Sequence, residues 1–266
     1  MPETLDPQER LQAQFDGCGS VCVALSGGVD SSVVLAAAVR GLGPARVAAF
    51  TASSPLFIAE EAAMARTLAA AAGVRHVVVA LASLDDPRVA ANSRERCYYC
   101  KAAILDAMLR AARDLGCETL ADGANADDVG DDRPGMRAAA ERGVRHPLLA
   151  AGVGKAEVRE LARAFGLPTA ASPQQACLAS RVPYGEPVSA AKLVAVAQAE
   201  AALHALGFRQ CRVRHHGSVA RIEVEQNDLD RALERRREIS TALHAAGFAY
   251  VSVDLDGFRS GSMNEA

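Results

Sequence analysis

The stretch "VALSGGVDSSVVL", Val23–Leu35, limits this chain more than any other. An apolar run of strand length gives way to Ser26-Gly27-Gly28-Val29-Asp30-Ser31-Ser32, and an apolar run with helical spacing follows. Strand, glycine turn and helix in that order put small residues just beyond a strand's carboxyl end, where open α/β sheets bind their ligands. Gly27 and Gly28 let the backbone come close to an anion, and Ser26, Ser31 and Ser32 offer hydroxyl donors. The helix start adds unsatisfied N–H groups and a partial positive charge. The turn is not a Walker A loop, because the Gly-Lys-Ser/Thr ending is absent, and it is not a G-x-G-x-x-G dinucleotide turn. The plainer alternative is an ordinary capped turn with Asp30 or Ser31 as N-cap. The Gly-Gly pair between Ser and Asp favours the anion site.

The rest of the chain alternates in the same way. Strands are expected at Val21–Leu25, Val47–Thr51, His76–Ala80 and Thr119–Asp122, with helices at Ser31–Leu42, Phe57–Ala72, Lys101–Leu115 and Lys155–Phe165. That pattern predicts an α/β fold with a parallel sheet covered by helices on both faces. From Ser172 to Pro187 the sequence "SPQQACLASRVPYGEP" has no period and reads as an ordered loop or junction. Beyond it a helix (Ser189–Leu206), two strands (Cys211–His215, Val219–Glu225), a helix (Leu229–Ala246) and a strand (Ala249–Leu255) predict a small α+β domain. The expected domains are therefore 1–185 and 186–266.

Composition narrows the function. The formal charge of −3 gives no general attraction to nucleic acid. No apolar run approaches the ~20 residues that cross a bilayer, and the polar start "MPETLDPQER" is not a signal peptide, so a cytoplasmic protein is expected. In that compartment seven cysteines read as core thiols, metal ligands or reactive groups, not as structural disulfides. Cys18, Cys22, Cys117 and Cys211 sit where packing explains them. Cys97 and Cys100 form a C-x-x-C pair, open to redox, metal-binding or chance readings. A four-cysteine zinc site would need a second close pair, which is missing. Cys177 lies in the polar irregular loop with Ser180 and Arg181, and an adjacent Arg favours a thiolate. Three thiolates would suit an iron–sulfur cluster with one uncapped iron. A second acidic stretch, "ADGANADDVGDDRPG" (Ala121–Gly135), gathers Asp122, Asn125, Asp127, Asp128, Asp131 and Asp132. Carboxylates this close repel unless solvated or given cations.

"SGGVDSS" resembles the pyrophosphate (PP) loop of the ATP pyrophosphatases. That likeness implies ATP held across Ser26–Ser32, Mg²⁺ on Asp30, and Asp122, Gly123, Asn125 and Asp128 at the nucleotide as the superfamily's D-G-x-N segment. It also implies Lys101 reaching the phosphates from its helix start and Arg133 balancing their charge. Taken with "NSRERCYYCK", "ADGANADD", "ACLASRVPYG", "RVRHHGSVARIEV" and "DGFRSGSMNE", nearly the whole chain resembles the LarE family of ATP-dependent sulfurtransferases. Membership implies adenylation of a carboxylate of pyridinium-3,5-dicarboxylate mononucleotide and its conversion to a thiocarboxylate, for the nickel-pincer cofactor of lactate racemase. It implies a homo-oligomer that takes a small-molecule substrate, with nucleic acid not expected as a partner. The three cysteines resemble the branch in which Cys97, Cys100 and Cys177 hold a 4Fe–4S cluster. In the other branch the cysteine at position 177 gives up its own sulfur.

On "CRVRHHGSVARIEVE" the strand period places Arg212 and Arg214 on one face, and the family reading makes them a clamp for the substrate phosphate, with Ser180 and Arg181 beside it. Arg181 and Arg259 are weaker candidates for that anion. Glu200 and Glu223 read as surface carboxylates or ligands of a second cation, and His76, His146, His204 and His244 as structural. A tRNA thiolase of the same superfamily is the alternative enzyme. A non-enzymatic nucleotide or iron–sulfur carrier is the alternative of another class, disfavoured by the acidic loop that accompanies Asp30.

Overall fold

The computed structural model describes residues 5–128, 134–173 and 175–259. In chain order the elements are α1 (Pro7–Gln12), β1 (Val21–Ala24), α2 (Val29–Leu42), β2 (Val47–Ser53), α3 (Ala59–Ala71), β3 (Arg75–Ala80), α4 (Pro87–Ala90), α5 (Arg96–Asp114) and β4 (Thr119–Ala121). They continue with α6 (Pro134–Ala140), α7 (Pro147–Ala150), α8 (Lys155–Ala164), α9 (Ala190–Ala205), β5 (Cys211–His216), β6 (Val219–Val224), α10 (Leu229–Glu234), α11 (Arg236–Ala245) and β7 (Tyr250–Val253). No helix among the described residues is long and apolar enough to cross a membrane.

The chain forms two compact units. The first takes the described parts of 1–54, 59–81 and 97–174. Its parallel sheet has the order β3-β2-β1-β4. β2 lies on one side of β1 and β4 on the other, so the order reverses at β1, and the turns after β1 and β4 face each other at the carboxyl ends. Val23 pairs with Ala121, which sets Asp122 level with the end of β1. Leu11, Val33, Val34, Leu148 and Leu161 pack with the β1 side chains Val21 and Val23 in one core; Cys22, Phe50, Leu105, Met108 and Leu120 form a second. Alternate β1 residues thus enter different cores, as a strand covered on both faces requires.

The second unit takes 55–58, 82–96 and the described part of 175–266, so it recruits two early segments that the expected 186–266 domain lacks. Hydrogen bonding shows why. Leu178 N–H donates to Leu56 O (2.8 Å), and the 178–188 loop is bonded to residues 90–96. In its sheet β5 pairs antiparallel with β6 and β6 parallel with β7. The buried stripe Leu193, Val196, Ala199 and Leu203 on α9 packs in the core with Val213, Ile222 and Leu243.

Two elements differ from expectation. The last long helix is broken at Arg235 (φ −88°, ψ 15°), where the side chains of Arg231 and Arg235 both donate to Leu206 O (2.8 and 2.6 Å). Helix α5 starts at Arg96, so Cys97 and Cys100 occupy its first turns and do not precede it.

Candidate active site

Gly27 adopts φ +91°, and a Cβ there would lie 2.1 Å from Glu61 O, so no other residue fits without moving backbone. The serines staple the turn. Ser31 Oγ donates to Gly28 O (3.1 Å), Ser26 Oγ lies 3.1 Å from Ser31 Oγ, and Gly28 N–H donates to Ser26 Oγ (3.2 Å). Since Ser31's only proton goes to Gly28 O, Ser26 is the donor to Ser31. Ser26 is exposed, and Val29 opens α2 with Gly28 as its N-cap, so the unsatisfied N–H groups of the helix start lie beside it. Ser32 departs from expectation. It is 1% exposed, with its hydroxyl on Val29 O (2.8 Å) and Thr169 Oγ1 (2.6 Å), and it fixes the first turn of α2.

The D-G-x-N segment packs against this turn. A Cβ on Gly123 would meet Ser31 N at 2.8 Å, which requires glycine at the crossing. Asn125 Nδ2 donates to Asp30 Oδ1 (3.2 Å), while Asn125 N–H donates to Asp128 Oδ2 (3.1 Å). Burial raises the Asp30 pKa above the usual carboxylate value, the Asn125 bond lowers it, and the Asp128 charge raises it. Asp122, 4% exposed, accepts from Lys101 Nζ (3.0 Å) and bonds His146 Nδ1 (2.6 Å). Burial raises its pKa, but the Lys101 charge and the His146 bond outweigh it and hold the carboxyl well below its usual range. His146, read from the sequence only as structural, is the partner that braces Asp122. Its only cue was a position just before Pro147, which starts α7. Asp131, Asp132 and Arg133 lie outside the described residues.

In the second unit the Cys177 loop is built on buried arginines. Arg181 is 0% exposed; its Nε and Nη2 donate to Glu200 (both 2.8 Å), and its Nη1 reaches Ala176 O, Cys177 O and Ser180 Oγ (2.6, 3.2 and 3.1 Å). Arg214 Nε and Nη2 hold Glu223 (2.9 and 2.7 Å), and its Nη1 donates to Ser180 O (3.0 Å). Arg214, one half of the expected Arg212–Arg214 clamp, and Arg181, a weaker candidate, thus both hold buried carboxylates and loop carbonyls. Glu200 and Glu223 are buried ion-pair partners and not the surface carboxylates expected. Arg212 donates from Nη1 to Cys211 O (2.7 Å), its Cζ lies 5.2 Å from the Phe258 ring centroid, and burial, together with the Arg181 charge, pushes its pKa down to about 10. Arg259 sits beside Asp256 (3.6 Å) on the surface.

Residues 8–129 match the family model described as asparagine synthase. The pyridinium-3,5-bisthiocarboxylic acid mononucleotide synthase of Lactiplantibacillus plantarum is 36% identical over 255 residues, covering 96% of this chain and 92% of that protein. The chain belongs to the LarE family. It is accordingly an enzyme of the ATP-using PP-loop class, an ATP-dependent sulfurtransferase. An uncharacterized protein of Synechocystis sp. is 39% identical over 258 residues, covering 96% of both chains. A second, from Methanocaldococcus jannaschii, is 28% identical over 173 residues, covering 65% of this chain and 68% of its own.

LarE membership brings metal questions that the side chains answer in part. Cys97 and Cys100 are three residues apart on α5 and so share one helix face. Among the described residues, however, no group of three or more His, Cys, Asp or Glu side chains is arranged to hold a metal ion.

Asp30 allows a direct test of its environment. Because its folded pKa is raised, the folded chain holds the proton more tightly than the unfolded chain, and stability falls as pH rises through the folded pKa. Asp30→Asn is expected to melt higher than the native chain near neutral pH, with the gap closing on acidification through the carboxylate range. ATP turnover should fall by about 10²-fold or more. Thermal melts across pH, beside pyrophosphate release, read both effects.

Proposed function

We propose that the enzyme converts pyridinium-3,5-dicarboxylate mononucleotide to its thiocarboxylate, in two ATP-dependent rounds for a bis-thio product. A substrate carboxylate oxygen attacks the α-phosphorus of ATP, the bond to the β,γ-pyrophosphate breaks, and an acyl-adenylate forms. Sulfide then attacks the activated carbon, and the acyl–oxygen bond to AMP breaks. AMP is a good leaving group, so an otherwise inert carboxylate becomes a competent acyl donor.

The observation that carries this reading is the Gly27 turn, whose contact with Glu61 O and stapling serines leave Ser26 and the α2 start as an anion cradle beside Asp30 and Asn125. ATP phosphates would lie there, with Mg²⁺ on Asp30. Lys101, held by Asp122, would offset charge on the phosphate under attack. Arg212 is the candidate for the substrate phosphate, because a dianion would offset the cost of a cation buried near Arg181. Ser180 is a candidate beside it.

We assign Cys97, Cys100 and Cys177 to sulfur handling. This rests on their number and type and on the resemblance to the cluster-bearing branch. When bound, a 4Fe–4S cluster on these three thiolates would supply an exchangeable sulfide.

The test is the intact mass of the chain after anaerobic turnover with ATP–Mg²⁺, the mononucleotide and sulfide, with product, iron and acid-labile sulfide measured in the same sample. The expected result is several products per chain, an unchanged polypeptide and iron in the protein. Loss of one H₂S at Cys177 in step with product would replace the cluster by a sacrificial cysteine. Pyrophosphate release stimulated by tRNA and not by the mononucleotide would overturn the substrate.

A further inference from the structure

Asn92 is the one non-glycine residue with a positive φ among the described residues (φ 55°), and it is 0% exposed. Asparagine tolerates that backbone better than most residues, yet a buried left-handed position still needs a compensating set of contacts. The side-chain amide nitrogen and the backbone carbonyl of Asn92 both bond one segment, 182–186. Its Nδ2 donates to Pro183 O (2.8 Å) and Glu186 O (2.9 Å), with Val182 O at 3.3 Å. Its carbonyl accepts from Gly185 N–H (3.1 Å), and two residues earlier Ala90 O accepts from Val188 N–H (2.8 Å). Its Oδ1 accepts from Arg96 Nη1, which also donates to Ala179 O (3.0 Å). Arg96, 3% exposed, lies with its Cζ 5.5 Å from the Tyr184 ring centroid.

A loop of this length and composition has no register of its own. Here its carbonyls at 179, 182, 183 and 186 are all taken by two side chains from 92–96, and Arg181 takes those at 176 and 177. With these main-chain acceptors occupied from both sides, the backbone of Cys177 is held while the catalytic role falls to its thiol. Arg96 also opens α5 and directly precedes Cys97 in the chain.

We propose that Asn92, acting with Arg96, is a positioning residue for Cys177: a buried hub on which the 178–188 loop is laid. This rests on the proposed role of Cys177 in sulfur transfer, and it adds residues for which nothing in that chemistry calls directly.

The test compares Asn92→Gly, which keeps the left-handed backbone and loses the side chain, with Arg96→Lys, which keeps the charge and loses the planar fork. Amide hydrogen exchange of the full-length chain is read at Gly185, Glu186 and Val188, together with kcat and KM for ATP and the mononucleotide. In both variants loop exchange should quicken by about tenfold or more, and kcat should fall by about tenfold or more with the KM for ATP unchanged. Exchange in the rest of the chain should stay native. Native loop exchange in Asn92→Gly overturns the hub. Fast loop exchange with native kcat overturns its role in positioning Cys177. Should the native chain make no thiocarboxylate, the proposed function falls, and loop exchange alone then upholds or overturns the hub.

Discussion

Gly27→Ala is expected to abolish ATP-dependent pyrophosphate release while much of the second unit keeps its native melting behaviour. The added methyl would sit 2.1 Å from Glu61 O, and φ +91° is a conformation that an L side chain resists. The two penalties act together, because relieving the contact means moving the turn or the start of α3, and the turn cannot relax toward negative φ without breaking the serine staple. The cost is about 3 kcal/mol or more in stability of the first unit. Activity should fall by about 10²-fold or more even in the folded fraction, since a shift of about 1 Å in a cradle aimed at phosphates costs that much. Stopped pyrophosphate release with an ATP-dependent rise in melting temperature lost in parallel would bear this out. A variant that folds and turns over normally would show that the turn is not the nucleotide cradle.

Glu200→Ala is expected to destabilise the second unit strongly, because it breaks a buried ion pair from one side. Glu200 accepts both donors of one side of Arg181 and the Val213 N–H (2.9 Å), so it ties the Cys177 loop, α9 and β5 together. Removing it leaves a guanidinium with 0% exposure without its counter-charge. Breaking a buried pair from one side costs about 3–5 kcal/mol, which lowers the melting temperature by on the order of 10 °C. Replacing both partners, Arg181→Met with Glu200→Leu, should recover much of the melting temperature but not sulfur transfer, because the carbonyls of Ala176 and Cys177 would lose their donor. Differential scanning calorimetry of the single and double variants separates the two costs. Equal melting of Glu200→Ala and the native chain would mean that the pair contributes nothing.

The nucleotide half of this enzyme was legible in the sequence because its chemistry is local. Glycines, serines and an acid within seven consecutive residues, between a strand and a helix, define the turn before any tertiary contact forms. The alternation of strands and helices was enough to predict the parallel sheet. The D-G-x-N segment could be paired with the turn only because the family resemblance did so, and the register of Val23 with Ala121 supplies the physical reason.

In the second unit Cys177 could be singled out from the sequence, but not the side chains that support its loop. An arginine reads the same in sequence whether it faces a phosphate or a buried glutamate. Arg181 and Arg214 proved to be ion-paired with Glu200 and Glu223, partners 19 and 9 residues away. The role of His146 was invisible for the same reason, since it comes from Asp122, 24 residues earlier. Asn92 carried no periodic signal at all. The sequence by itself determined the elements whose residues interact within one turn or one strand. Only the tertiary structure decided which charges are neutralised inside the protein, because burial and the identity of a counter-ion depend on the packing of distant segments.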